Sequence, residues 1–363
     1  MSQPSAALEK DIYPTPAFVI LRPVLEANCR AISAKCRAAG LALRPHFKTT
    51  KCAEAARLQT QLDEEASGAR TPAVVVSTAA EAEALAGRGF KDITPWLSLA
   101  GLYSHSGNAY NTPSGRAGAT EVALLEAQRA GRAATAVRAA GIPVAVVSVG
   151  STPSVCAPAS LKPLADAGAT EVHPGNYTLL DRQQVASGSV KQSAAGSGQG
   201  SARLTAASTS SSSSSSTSTS STSAEPVARS VEPASGSTSG ALSTECVGSA
   251  CHVLATVLSH YPNRNEALVN AGGTALHKDS GGVEHWGELR GFGGRLVVLR
   301  LSQEHGVVGT LDGSPMPWTE LPLGGVVRIV PNHSCMAACQ HQTHHVVGEG
   351  GVVEDVWRPA AGW

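Results

Sequence analysis

Residues 208–223 are serine or threonine without exception, and the stretch from about residue 186 to residue 244 is nearly as small and polar. Such a segment buries too little apolar surface to offset the entropy of ordering it. The chain is therefore expected to fold as two blocks, 15–185 and 245–363, joined by a disordered insertion at 186–244. Phosphorylation or glycosylation of the insertion is the sharper reading of the same composition. Basic and acidic residues balance at 28 each, which gives no electrostatic reason to expect nucleic acid or an anionic membrane as partner. No apolar run reaches the length that spans a bilayer, and the opening MSQPSAALEKDIYPTP has no apolar signal core. Eight cysteines are scattered without a paired framework, which suits a reducing compartment. These features together lead to the expectation of a cytoplasmic protein.

The first block alternates short apolar runs with helical patterns. Leu25, Cys29, Ile32 and Cys36 recur at helical spacing, and Gly40 stands where a helix would end. LALRPHF at 41–47 reads as a strand, a helix follows from about Lys51, and AVVVS at 73–77 reads as the next strand. Thr78 and Glu81 have capping-box spacing and predict a helix. WLSLAGLYSH, IPVAVVSVG and TEVHPG are further strand-like runs. Strands alternating with helices predict parallel βαβ units, hence an α/β sheet or barrel. After the insertion, CHVLATVLSHY, LVVLRLSQ, GVVRIVP and HHVVGEGGVVEDVW predict a mostly antiparallel β domain.

Three places carry residues suited to chemistry. Lys48, in RPHFKTTKC, stands at the end of a strand-like run, where barrel side chains face an active site. A lysine desolvated there suits Schiff-base chemistry, although a solvated strand-end lysine is the plainer alternative. SVGSTPS (148–154) and HPGNY (173–177) are small turns after strands, able to cradle a phosphate. In PNHSC, His333 and Cys335 would share one face of a strand and could grip one metal ion. A thiolate with an imidazole favours zinc. HQTHH at 341–345 is a second metal candidate.

RPHFKTTKC, VSTAAEAEALAGRGFKDI, LAGLYSHSGNAY, VVSVGSTPS, EVHPGNY, LSQEHG and PNHSC occur in the order seen in eukaryotic-type D-serine dehydratases, and the closing WRPAAGW resembles their terminal signature. That group is similar to D-threonine aldolases and to the alanine racemase fold. The resemblance implies a TIM-type (β/α) barrel followed by a β domain, commonly as a homodimer. It also implies Lys48 as the pyridoxal-phosphate lysine, with Tyr103 and Tyr110 lining the cofactor pocket. Gly150, Ser151, Thr152, Gly175, Asn176 and Tyr177 would hold the cofactor, with zinc on His333 and Cys335. The implied reaction is conversion of D-serine to pyruvate and ammonia. The rivals are D-threonine-aldolase-type cleavage of D-3-hydroxy amino acids, whose metal pair is usually His-x-Asp, and an inactive pyridoxal-phosphate-binding paralogue.

Three positions depart from the pattern. Thr50 replaces a histidine near the lysine, Asn270 stands where an aspartate is usual, and the span between Ile93 and Leu99 is too short for the expected βα units. Six strand-like runs stand where an eight-stranded barrel is expected. Two or three central strands are thus expected to be missing.

Overall fold

The computed structural model describes residues 8–67, 73–94, 101–190 and 246–360. Most of the Ser/Thr-rich insertion therefore lies outside the described residues.

The first block begins with β1 (Ala17–Leu21) and α1 (Arg22–Ala38). The four residues at helical spacing, Leu25, Cys29, Ile32 and Cys36, are all buried on one face of α1. They pack into a core shared with Phe18 and Ile20 of β1. Gly40 follows with φ +69, a backbone state that glycine adopts without strain. Next come β2 (Ala42–Leu43), α2 (Ala53–Ser67), β3 (Ala73–Val75), α3 (Ala79–Ala86) and β4 (Asp92–Thr94). Thr78 caps α3 by accepting the Glu81 N–H at 3.2 Å, while the Glu81 carboxylate reaches back to the N–H of Ser77 at 2.7 Å. The second half of the block is β5 (Gly101–Tyr103), α4 (Gly115–Ala139), β6 (Val146–Val149), α5 (Thr152–Cys156), α6 (Lys162–Asp166), β7 (Glu171–Val172) and α7 (Arg182–Ala186).

Strands β2 to β7 are parallel wherever they pair. Their order is β2-β7-β6-β5 in one sheet and β3-β4 in another, with a parallel bridge between His46 and Val75 joining the two. The result is an arc running β4-β3-β2-β7-β6-β5. Among the described residues nothing pairs β4 with β5, so six strands form an unclosed barrel, as the strand count predicts. LALRPHF contributes only two residues of regular strand. Its continuation still pairs through the Arg44 N–H to the Val172 carbonyl and the His46 N–H to the Pro174 carbonyl.

The second block is all but free of helix. Strands β8 (Cys251–Tyr261), β9 (Glu266–Val269), β10 (Gly287–Leu289), β11 (Leu296–Leu301), β12 (Gly306–Thr310) and β13 (Val326–Pro331) pair antiparallel around a closed ring. Closure satisfies every edge, which explains how so many short glycine-bounded strands hold together. Strand β14 (His344–Val347) and strand β15 (Val353–Trp357) extend this sheet. Strand β1, drawn from the 15–185 span, pairs antiparallel with β8 and parallel with β14. These ladders tie the start of the first block to the sheet of the second. Asn270 is spent on structure: its side chain bonds the Thr256 N–H at 2.7 Å and Thr15 at 3.0 Å.

Candidate active site at the mouth of the barrel

Lys48 lies in a single 3-10 turn, Phe47–Thr49, just beyond the paired part of β2. The turn is set by His46, whose Nδ1 accepts the Lys48 N–H at 3.4 Å, and by Phe47, buried in a local apolar cluster. The lysine side chain is half-buried and its ammonium bonds no other described residue. Burial, with the Lys48 charge and the neighbouring histidines as lesser causes, drives His46 down to about 2 and His173 down to about 3. Both imidazoles are therefore neutral, and among the described residues the buried Nε2 of each has no hydrogen-bond partner. Thr50 is buried and its hydroxyl accepts the Cys52 N–H at 3.4 Å, so the expected histidine position here serves the turn.

The turn after β7 is pressed onto the lysine turn. A Cβ at Gly175 would stand 2.7 Å from Thr49 Oγ1 and 3.1 Å from His46 Cβ, so only glycine allows this approach. The turn after β6 opens with Gly150 at φ +116, and Ser151 caps α5 with Thr152 in its first turn. Ser106, Ser151 and Ser154 interlock through hydroxyl contacts of 3.1–3.3 Å, fixing the loop after β5 against this turn. Tyr103 ends β5 and stacks on His173, with centroids 4.1 Å apart and planes at 22°. Tyr110 lies in a 3-10 turn, not on the strand, with its phenol against Thr152. Burial, with the nearby Cys335 and Asp181, raises its pKa.

The second block closes the mouth. His333 and Cys335 do not sit on a strand as the spacing suggests. Strand β13 ends at Pro331, His333 is the N-cap of α8 (Ser334–Ala338), and Cys335 lies in its first turn. Cys335 Sγ contacts Thr49 Oγ1 at 3.5 Å, which places this pair beside the lysine turn. His333 Nδ1 is held by Asp279 Oδ2 at 2.7 Å, leaving Nε2 for Cys335. Burial opposes charge on His333, but Cys335, Asp181 and Asp279 outweigh it and push its pKa up to about 10.

Asp181, fully buried, locks the two blocks together. Its carboxylate accepts from Asn176 Nδ2 (2.5 Å), the Ser334 N–H (2.8 Å) and the Gln184 N–H (3.1 Å). Asn176 also accepts the Ser334 hydroxyl at 2.6 Å, so its amide positions the loop. Tyr177 is core: its phenol accepts from Gln59 Nε2 at 3.1 Å, beneath the mouth. The 341–345 cluster is also structural, with His341 on the Ala275 carbonyl at 3.0 Å and His344 on the Ala338 carbonyl at 3.1 Å. Among the described residues no group of three or more His, Cys, Asp or Glu is arranged to hold a metal ion.

Sequence reasoning missed His46, His105 and His173 around the lysine, and the Asp279 partner of His333. The usable signal for His173 was its position two residues after Glu171, on the same strand face.

A lysine turn, two small-residue turns and an appended β barrel, all meeting at one end of parallel strands, define the alanine racemase-like fold. Residues 250–347 match the family model described as "Putative serine dehydratase domain". The chain resembles D-serine dehydratases in sequence. It is 28% identical over 278 residues to the D-serine dehydratase of Dictyostelium discoideum, covering 74% of this chain and 55% of that protein. It is 29% identical over 280 residues to the D-threo-3-hydroxyaspartate dehydratase of Delftia sp. strain HT23, covering 74% and 57%. The chain thus spans little more than half the length of the curated relatives it matches. The solved Delftia structure superposes with a TM-score of 0.73 at 23% identity, covering 98% of this chain and 100% of that one. D-threonine aldolase from Filomicrobium marinum superposes at 0.67 and 18% identity, covering 99% of each. The fold is that of this group, and the resemblance read from the motifs is borne out. No described helix is long and apolar enough to cross a membrane.

Proposed function

We propose that the chain is built for pyridoxal-phosphate-dependent dehydration of D-serine to pyruvate and ammonia. The observation that carries this reading is the 3.5 Å contact between Cys335 and Thr49, which sets a His-x-Cys pair beside the lysine turn in this fold. The residues fit the cofactor: a half-buried lysine, two buried imidazole nitrogens that have no hydrogen-bond partner among the described residues, and a glycine-walled turn on each neighbouring strand.

When bound, pyridoxal phosphate supplies an electron sink that spreads charge from Cα of the amino acid. Lys48 Nζ would hold it and then carry the Cα proton. The backbone and hydroxyls of Gly150, Ser151 and Thr152, with Gly175, would take the phosphate. Tyr110 would lie beside it through Thr152, Tyr103 would wall the pocket, and Asn176 and Tyr177 would support the loops from behind. Zinc held by His333 and Cys335 would supply Lewis acidity toward the departing hydroxyl. Asp279, bonded to His333 Nδ1, would orient that ligand. Solved structures of D-threo-3-hydroxyaspartate dehydratase include a variant with a histidine replaced by alanine and, in a metal-free form, a variant with the cysteine two positions on replaced by alanine. That matches the spacing of His333 and Cys335. Homodimerisation and a cytoplasmic location complete the reading.

The test is absorbance of the purified chain with added pyridoxal phosphate, before and after borohydride, followed by a pyruvate assay with D-serine. A reducible cofactor band is expected in the wild type and none in Lys48→Ala. A reducible band retained in Lys48→Ala would move the cofactor to another lysine, Lys51 being nearest in sequence. Release of glycine from D-threonine without pyruvate from D-serine would favour the aldolase reading, and cofactor binding with neither product would favour an inactive paralogue.

A further inference from the structure

Four side chains on or just past β2, β6 and β7 form a line that ends in the lysine pocket. Arg44 Nε donates to Glu171 Oε2 at 2.8 Å, and the Ser148 hydroxyl donates to Glu171 Oε1 at 2.8 Å. His173 Nδ1 lies 2.9 Å from the same Ser148 oxygen. A serine hydroxyl has one proton, and here the carboxylate, an acceptor only, takes it. The serine oxygen can then only accept from His173, so Nδ1 carries the imidazole proton. The register makes this possible: Ser148 and Glu171 are directly paired across the parallel β6–β7 ladder, and His173 follows two residues on, facing the same way. His173 is 1% exposed, and Tyr103 covers one face of its ring. Among the described residues Nε2 has no hydrogen-bond partner, while the Gly150 backbone lies beside the ring and favours its charged form against burial.

We infer that the Arg44–Glu171–Ser148 line fixes His173 as a neutral acceptor, and that its Nε2 takes a hydrogen bond from an N–H or O–H donor on the ring of a bound pyridoxal compound. This rests on the lysine-pocket reading above. His173 then contacts the ligand, and Ser148 is a positioning residue acting through it. A buried lone pair without a donor is costly, which gives the pocket a preference for a ring that offers one.

Two measurements test the inference on the full chain. The first is nitrogen NMR of histidine-labelled protein without ligand. It should show His173 protonated at Nδ1 and unprotonated at Nε2, and Ser148→Ala should mix the two tautomers. The reverse tautomer in the wild type would overturn the inference outright. The second is the dissociation constant of 4′-deoxypyridoxine phosphate, which keeps the ring and phosphate but has no aldehyde for Lys48 to capture. His173→Asn and Ser148→Ala should each weaken binding about tenfold, the loss of one hydrogen bond to a buried group. His173→Gln, which restores an acceptor near the Nε2 position, and Ser148→Thr, which restores the hydroxyl, should recover most of it. A merely structural role would not follow that pattern. Wild-type protein that binds neither pyridoxal phosphate nor the analogue would refute the pocket reading and the inference with it. Tight binding that His173→Asn leaves unchanged would refute the inference alone.

Discussion

Acidification should unfold this chain well before its carboxylates protonate. Burial is the leading cause that drives His46 to about 2, His173 to about 3 and His344 to about 4, each from an ordinary value of 6.5. All three are at most 2% exposed. The folded state therefore binds fewer protons than the unfolded chain, whose histidines titrate near 6.5. The stability these three contribute is complete above pH 7 and is lost as pH falls from about 6.5 toward 4, whereas His333, raised to about 10, contributes with the opposite sign above pH 6.5. At pH 5 each histidine accounts for roughly 2 kcal/mol, or about 6 kcal/mol for the three, a large part of a typical domain's 5–15 kcal/mol. Near pH 5.5 unfolding should take up close to three protons, a slope of roughly 4 kcal/mol per pH unit. Urea unfolding followed by tryptophan fluorescence at pH 8, 7, 6 and 5 measures this directly. Equal stability at pH 8 and pH 5 would refute the argument, because it would mean that these imidazoles are hydrated or paired with an acid in the folded chain.

Chelation of zinc should remove dehydratase activity while leaving the borohydride-reducible cofactor band, since His333 and Cys335 come from the β domain and Lys48 from β2. Bleaching of the band by the chelator would make the metal structural. Gly175→Ala should weaken pyridoxal-phosphate binding about fivefold to a hundredfold, because its Cβ would meet Thr49 Oγ1 at 2.7 Å and displace the lysine turn, an overpacking worth about 1–3 kcal/mol. Unchanged affinity in that variant would show that the two turns move independently. Deleting residues 195–240 should change neither solubility nor cofactor binding, since that stretch has no apolar periodicity and long surface insertions add little closure entropy. Loss of soluble protein on deletion would show that it packs.

What was legible in the sequence follows from what is local. The core face of α1 and the cap of α3 are written in residues within one or two turns of each other, and both are found as read. The lysine and the His-x-Cys pair were legible as motifs. Their local geometry was not, because a 3-10 turn at Phe47–Thr49 and a helix cap at His333 depend on contacts more than a hundred residues away. Nothing in the AFVIL of strand β1 says which sheet it will join. Its partners, β8 and β14, lie beyond the insertion. The spacing of Glu171 and His173 puts both on one strand face, but the state of His173 is also set by Ser148, and the pairing of Ser148 with Glu171 needs the β6–β7 register.

The unclosed arc decides what the chain can and cannot do. Strands β4 and β5 each pair on one side only among the described residues, and Ile93 and Leu102 are just partly buried there. Unpaired edges with apolar faces beside them favour association with other chains, so the 363-residue chain is expected to be poorly soluble and weakly active or inactive. The lysine site, however, is not at the gap. Lys48 follows β2, the phosphate turns follow β6 and β7, and β2 is flanked on both sides, by β7 through a ladder and by the β3 segment through the His46–Val75 bridge. Only Tyr103, on β5, stands at an open edge. Cofactor binding and turnover should therefore separate. The soluble fraction should still give a reducible pyridoxal-phosphate adduct at Lys48, while pyruvate release from D-serine is slight. Inserting two or three βα units between residues 94 and 101 should restore a monodisperse species by light scattering and raise turnover. A chain that is monodisperse and fully active as it stands would overturn the argument, since it would require β4 and β5 to be satisfied by some means other than the missing strands.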